Sequence, residues 1–292
     1  MDRPPGIADF TPVPSLYPFA SRWYDAEGVG PVHYVDEGHG RPILMLHGNP
    51  DWSFIYRRII RALRDSFRCV ALDLPGFGLS AHPSDYGYTP REHAEVVAEL
   101  VEHLDLTDAI VMGGDWGGPI GMDVASRVPE RFSGIAMGNT WFWPADGFRM
   151  RTFSRVMATA PAQRLILERN AFVRQLMART LQASLTGLEF AHYLDVARTP
   201  ESRRGMSQFP KEILASREWL GALEERVEAN LTGKRTLLLF GRKDFALGTR
   251  KVSDRWLRTF PEARLVELPR AGHFWLEDAP GDVVRAVREA FG

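Results

Sequence analysis

Four short runs constrain the fold of this chain more than any other feature: Ile43-Leu-Met-Leu-His47, Val70-Ala-Leu-Asp73, Ala109-Ile-Val-Met112 and Thr236-Leu-Leu-Leu-Phe240. Each is apolar almost throughout and lacks the alternation of a strand with one wet face. Such runs fit strands covered on both faces, as in a parallel sheet sandwiched between helices. Ser133-Gly-Ile-Ala-Met137 and Ala263-Arg-Leu-Val-Glu-Leu268 read as two further strands, with Ser21 to Asp25 and Val32 to Asp36 as an N-terminal pair. Helical patterns lie between them. The pattern from Thr89 to Leu104 opens on an N-cap threonine, a proline at the first helical position and Glu92 in the first turn. The one from Asp278 to Phe291 opens on an acidic residue followed by Pro280. Strand and helix in succession predict a mostly parallel, doubly wound α/β sheet of eight strands.

The alternation stops between about Trp141 and Phe209, where the chain is rich in Arg, Ala, Leu, Met and Phe and shows no strand pattern. An all-helical insertion between two sheet strands reads as a lid. The chain is therefore expected to divide into a core of residues 1–141 and 209–292 and a helical cap of residues 142–208. Phe142, Trp143, Phe148, Phe172 and Leu176 are cap candidates for lining a pocket, or equally for the cap's own core.

Composition narrows the class of function. Lys and Arg total 36 against 37 Asp and Glu, a net charge of -1, which leaves no footprint for nucleic acid and no polybasic membrane patch. A small uncharged substrate suits that balance better than a polyanion. The apolar runs fall far short of the roughly 20 residues needed to cross a bilayer. Met1 to Gly6 lacks the cationic start of a signal peptide. A cytoplasmic protein is expected. The single cysteine, Cys69, can form neither an internal disulfide nor a zinc cage, and its apolar surroundings mark it as strand core.

The chemistry is concentrated at Val111-Met-Gly-Gly-Asp-Trp-Gly-Gly-Pro119. An apolar strand ends, Asp115 stands between Gly113 and Gly117, and a helix follows. That is the layout of a nucleophile elbow, where crowded backbones demand small neighbours. The alternative is an aspartate that merely caps the next helix. As a nucleophile, a carboxylate is poor toward acyl carbon but can displace a leaving group from sp³ carbon, giving an ester of the enzyme. Water must then attack the carbonyl carbon of Asp115, which calls for a general base and an oxyanion hole.

His273, in Arg270-Ala-Gly-His-Phe-Trp275 after the last strand, is placed to be that base. Asp244, in Phe240-Gly-Arg-Lys-Asp244, would orient it and balance the imidazolium; its plainer role is a helix cap. Asn139, after the strand before the cap, marks the other place an acid could stand, but an amide cannot neutralise imidazolium. The backbone N–H groups of Asn49, in His47-Gly-Asn-Pro50, and of Trp116 are expected to form the oxyanion hole. Ser80, in Asp73-Leu-Pro-Gly-Phe-Gly-Leu-Ser80, lacks the small-X-nucleophile-X-small frame and reads as a scaffold loop residue.

With these pieces together the sequence resembles the haloalkane dehalogenases of the α/β-hydrolase superfamily, from about Trp23 to the C-terminus. Asn139-Thr-Trp-Phe-Trp-Pro144 and Thr199-Pro-Glu-Ser-Arg-Arg-Gly205 add to the likeness. The resemblance implies that the side-chain N–H groups of Asn49 and Trp116 receive the departing halide. Two neutral donors can stabilise a large, weakly hydrated anion without trapping it. Taken singly, Trp116 could be core packing and Asn49 a turn residue. The implied reaction converts a small apolar halogenated substrate and water to alcohol and halide through a covalent alkyl-aspartate ester, with no metal or organic cofactor. Epoxide hydrolases share the aspartate nucleophile but protonate their substrate with cap tyrosines, and this cap contains only Tyr193. Fluoroacetate dehalogenases carry an arginine where Trp116 stands. A luciferase-like oxygenase or a non-catalytic ligand-binding protein of the same fold completes the alternatives.

Overall fold

A computed structural model describes Pro4 and residues 9–292, so the segment read above for a leader lies, Pro4 apart, outside the described residues. All eight expected strands form: β1 (Arg22–Ala26), β2 (Gly30–Gly38), β3 (Arg41–Leu46), β4 (Phe67–Leu72), β5 (Ala109–Gly114), β6 (Phe132–Gly138), β7 (Arg235–Gly241) and β8 (Arg264–Leu268). They make one sheet in the order β1-β2-β4-β3-β5-β6-β7-β8. β2 runs antiparallel to β1 and β4, and every other pairing is parallel. The unalternating runs behave as their composition requires. Ile43 to Leu46, Cys69 to Leu72 and Ala109 to Met112 are all buried, with helices on both faces.

This strand order decides where a ligand can sit. From β3 the chain crosses to β4 on one side, and β5 then lies on the other side of β3. The connections diverge there, opening a crevice at the carboxyl ends of β3 and β5. Asn49 follows β3 and Asp115 follows β5, so both lie at that crevice.

Local signals set the helix ends in one case and not in another. Thr89 and Glu92 form the expected reciprocal cap on helix Pro90–His103, Thr89 N donating to Glu92 at 2.9 Å. The final helix differs from expectation. It breaks into Trp275–Asp278 and Pro280–Phe291, and the latter has no side-chain cap. The Asp278 carboxylate instead accepts from Gln182 N and Ala183 N in the insertion and from Gly272 N beside His273.

The insertion is helical: Phe148–Met157, Ala160–Arg169, a π-helical turn Phe172–Met177, Gly187–Asp195 and Arg204–Ala215. The last helix carries Pro210 inside it and packs on the first two, so a division at residue 208 falls within a helix. At the other end, Phe142 and Trp143 pack on Trp256 of the sheet domain, with ring centroids 4.6 and 6.1 Å away. Among the described residues no helix is long and apolar enough to cross a membrane.

Candidate active site

The turn after β5 is built around a strained residue. Asp115 has φ +47°, in the left-handed region that a non-glycine residue adopts only when its surroundings hold it there. Asp115 N donates to Asn139 O at 3.1 Å, and Thr140 Oγ1 donates to Asp115 O at 2.6 Å, pinning the turn to the end of β6. The flanking glycines are sterically required. A Cβ on Gly113 would lie 2.7 Å from Gly117 O, and one on Gly117 would collide with Leu46 O. Helix Gly117–Arg127 has no side-chain cap, so the Asp115 carboxylate is not occupied with capping it. It accepts instead from Asn49 N at 2.9 Å and from the backbone of Trp116. Burial pushes this carboxyl up; His273 and those two N–H groups pull the other way.

Asn49 is set by the loop after β3. His47 Nδ1 meets Gly48 O at 2.8 Å and His47 Nε2 accepts from Leu74 N at 2.9 Å, so the histidine is a neutral strut. Burial accordingly lowers its pKa. Gly48 lets the loop pass against Asp115, because a Cβ there would strike the Asp115 side chain.

His273 lies between two carboxylates. Its Nδ1 is 2.8 Å from Asp244 Oδ2 and its Nε2 is 3.8 Å from Asp115 Oδ2. Burial lowers the imidazole pKa, but Asp244, Asp115 and Asp51 together raise it to about 9. Asp244 is buried, which raises its carboxyl, yet His273 and the N–H groups of Leu247 and Ala246 hold it at about 2. Its Oδ1 accepts from the loop backbone while Oδ2 meets the histidine, so holding the loop does not exclude contact with the imidazole.

Asn139, weighed above only as an alternative acid position, is a buried clamp. Its Nδ2 lies 3.0 Å from Asp244 Oδ2, 3.1 Å from Gly241 O and 3.3 Å from Gly272 O, and its Oδ1 accepts from Gly241 N. One amide thus ties β6 to the loops that carry Asp244 and His273.

Asp115, His273, Asp244, Asn49 and Trp116 all line one cavity of about 370 Å³ between sheet and insertion. Trp116 is wedged between Trp141 (centroids 4.9 Å, 65°) and the face of Phe209 (5.3 Å, 16°). Its indole N–H has no partner among the described residues and is not sealed from solvent, so it opens to the cavity. Asn49 Nδ2 donates one hydrogen to Met206 O at 3.1 Å, which fixes the amide and leaves the second hydrogen free.

Of the cap candidates, Phe172 and Leu176 line the cavity. Phe142 and Trp143 face Trp256 instead, and Phe148 is 83% exposed. Trp141, Met150, Phe153 and Ile213 line it and were not anticipated, although Trp141 belongs to the aromatic run that follows β6. Tyr193 is fully buried outside the cavity, its hydroxyl donating to Glu277. Ser80 is buried in a loop, accepting from His33 N and donating to Asp73 O. Cys69 is buried in β4, which pushes its thiol up to about 12. Among the described residues no group of three or more His, Cys, Asp or Glu is arranged to hold a metal ion.

Comparison with known proteins gives the family. Residues 41–280 match the family described as alpha/beta hydrolase fold. Haloalkane dehalogenase 2 of Mycobacterium tuberculosis (strain H37Rv) is 51% identical over 97% of this chain and 99% of its own. A cis-3-alkyl-4-alkyloxetan-2-one decarboxylase of Shewanella oneidensis is more distant, at 29% identity over 94% of this chain and 89% of its own. Among solved structures, haloalkane dehalogenase DbeA from Bradyrhizobium elkani superposes with a TM-score of 0.84 at 25% identity, covering 93% of this chain and 97% of its own. The putative ancestral haloalkane dehalogenase AncHLD2 superposes at 0.82 with 28% identity, covering 92% and 97%. With half of its residues shared along nearly the full length of both sequences, this chain belongs to the haloalkane dehalogenases, within the alpha/beta hydrolase fold.

Proposed function

We propose that the protein hydrolyses haloalkanes with Asp115 as nucleophile, His273 as general base and Asp244 as the acid that orients it. The observation that carries this reading is the placement of the Asp115 carboxylate. It sits at the base of a largely apolar cavity, held by the N–H groups of Asn49 and Trp116, with His273 Nε2 3.8 Å away. An alkyl halide in that cavity meets a carboxylate oxygen aimed at its carbon. The oxygen–carbon bond forms as the carbon–halogen bond breaks, and the halide departs with the electron pair. In this reading the free indole N–H of Trp116 and the second amide hydrogen of Asn49 receive the halide. Both are uncharged, so the ion can leave again.

The second half of the reaction hydrolyses the alkyl ester. His273 removes a proton from water as the water oxygen bonds to the carbonyl carbon of Asp115. The backbone N–H groups of Asn49 and Trp116, which already hold the carboxylate, then hold the developing oxyanion. Asp244 keeps the imidazole in the tautomer that presents a lone pair at Nε2. The helices from Phe148 to Ala215 act as the cap in this proposal, excluding water while the halide leaves. A cytoplasmic setting belongs to the same proposal, in keeping with one buried, unpaired thiol.

An epoxide hydrolase needs an acid in the cap to protonate the opening ring. The one cap tyrosine, Tyr193, is committed to Glu277 outside the cavity. The deciding measurement is bromide release from 1-bromobutane beside hydrolysis of styrene oxide, with Asp115→Ala as control. Asp115-dependent bromide release without epoxide opening is expected. Epoxide opening without bromide release would overturn the assignment.

A further inference from the structure

Asp115 and His273 line a second cavity as well as the large one, and it is very small, about 10 Å³. Its walls include Gly48, Asp51, Ile55 and Trp275 and no residue of the insertion, whereas insertion residues line the large cavity, so the two open on Asp115 from different sides. Such a volume has room for about one water, which needs two or more polar partners to stay. Asp51 supplies one. It is 6% exposed, and its Oδ1 is buried without a hydrogen-bond partner among the described residues. Asp115 and His273 supply the others.

We propose that Asp51 is a further catalytic residue, holding in this chamber the water that hydrolyses the Asp115 ester. This rests on the dehalogenase reading above. The alkyl group of the ester fills the large cavity, so water can approach the carbonyl carbon of Asp115 freely only from the other side. In the chamber one water hydrogen points to His273 Nε2 and the other to Asp51 Oδ1, which aims an oxygen lone pair at that carbon. The water O–H bond breaks toward Nε2 as the oxygen–carbon bond forms, and the carbonyl electron pair moves onto the oxygen held by Asn49 N and Trp116 N. Collapse breaks the bond to the alkyl oxygen, which takes the proton from His273 and leaves as alcohol. The carboxylic acid left on Asp115 then loses its proton to solvent.

Below about pH 8 Asp51 is uncharged and adds no negative charge beside the oxyanion; above it the carboxylate is ionised and helps to raise His273. His273 would favour its ionisation, but burial, Asp115 and Glu277 oppose it and raise its pKa to about 8. The other titratable groups facing this region are His47 on the chamber wall and the phenols Tyr56 and Tyr193; Arg57 is paired with Glu277.

The test is single-turnover kinetics of the full chain with 1-bromobutane, following bromide release for alkylation and intact mass for the ester. In Asp51→Ala, alkylation should stay within about threefold of wild type while ester hydrolysis slows about 10- to 100-fold and the ester accumulates. Asp51→Asn keeps the shape and the acceptor oxygen, so it should recover most of the hydrolysis rate. Equal slowing of both steps, no slowing of either, or an Asn variant as slow as the Ala variant overturns the proposal. Absence of any Asp115 ester even in His273→Gln would instead overturn the dehalogenase reading, and the role of Asp51 with it.

Discussion

Asp115→Asn keeps the shape of the nucleophile and removes its charge, which is what alkylation does in the first step of the proposed reaction. The neighbour that must feel the loss is His273. Its imidazole stands at about 9 because Asp244, Asp115 and Asp51 outweigh the effect of burial. With Asp115 Oδ2 3.8 Å from Nε2, a full charge contributes on the order of 4 kcal/mol at an effective dielectric constant of 20, or about 3 pK units. Asp244, on the other ring nitrogen, is unaffected. His273 should therefore fall from about 9 toward roughly 6 in the variant. The consequence is a built-in order of events. In the proposed reaction the imidazole is protonated while Asp115 is ionised, and becomes a base near neutral pH once Asp115 is esterified. NMR titration of the His273 ring in wild type and Asp115→Asn measures the shift directly. A change of less than about half a unit would refute the coupling. Stability gives a second reading. A histidine raised from 6.5 to about 9 adds stability that is complete below pH 6.5 and lost as pH rises to about 9. Wild type should lose up to about 3 kcal/mol across that window from this residue, and Asp115→Asn much less.

His273→Gln should release one equivalent of bromide and then stall with the alkyl group as added mass on Asp115; steady multiple turnover would rule His273 out as the hydrolytic base. Arg57, 2% exposed, pairs with buried Glu277 and with Glu189 of the insertion at 2.8 Å. Arg57→Met leaves the more exposed Arg58, 2.6 Å from Glu189 and 3.4 Å from Glu277, as the remaining cation for both carboxylates; it should cost about 2–4 kcal/mol in urea unfolding, and a loss below about 1 kcal/mol would contradict that account. Asn139→Ala removes the amide that holds Asp244, Gly241 and Gly272 together. It should destabilise the fold by about 1–3 kcal/mol and slow ester hydrolysis more than alkylation, and single-turnover rates that fall equally would argue against a positioning role.

What the sequence disclosed and what it hid follow from the range of the interactions involved. The strands were legible because burial on both faces is written into consecutive residues, as in Leu44 to Leu46 or Ile110 to Met112. The turn around Asp115 was legible because its strain is relieved by glycines two residues away on either side. His273 and Asp244 could be placed because each follows a readable strand, so topology alone brings them to the same edge. The features misread or left open share the opposite property. Asp278 looks like a helix cap from its neighbours, but its partners are Gln182, Ala183 and Gly272. Tyr193 looks like a cap acid until Glu277, 84 residues away, takes its hydroxyl. Phe142 and Trp143 stand open between pocket and cap core until Trp256, far along the chain, covers them. Asp51 gave no signal at all, since Pro50-Asp-Trp52 reads as an ordinary turn. Its character comes from burial beside two other carboxyl groups that only the fold brings together. Local rules thus pick out the groups of the proposed reaction, Asp115 by its left-handed turn and His273 and Asp244 by the strands they follow. The groups that tune them are set by long-range packing, and the proposed protonation timing of His273 and the proposed water site at Asp51 both belong to that second kind.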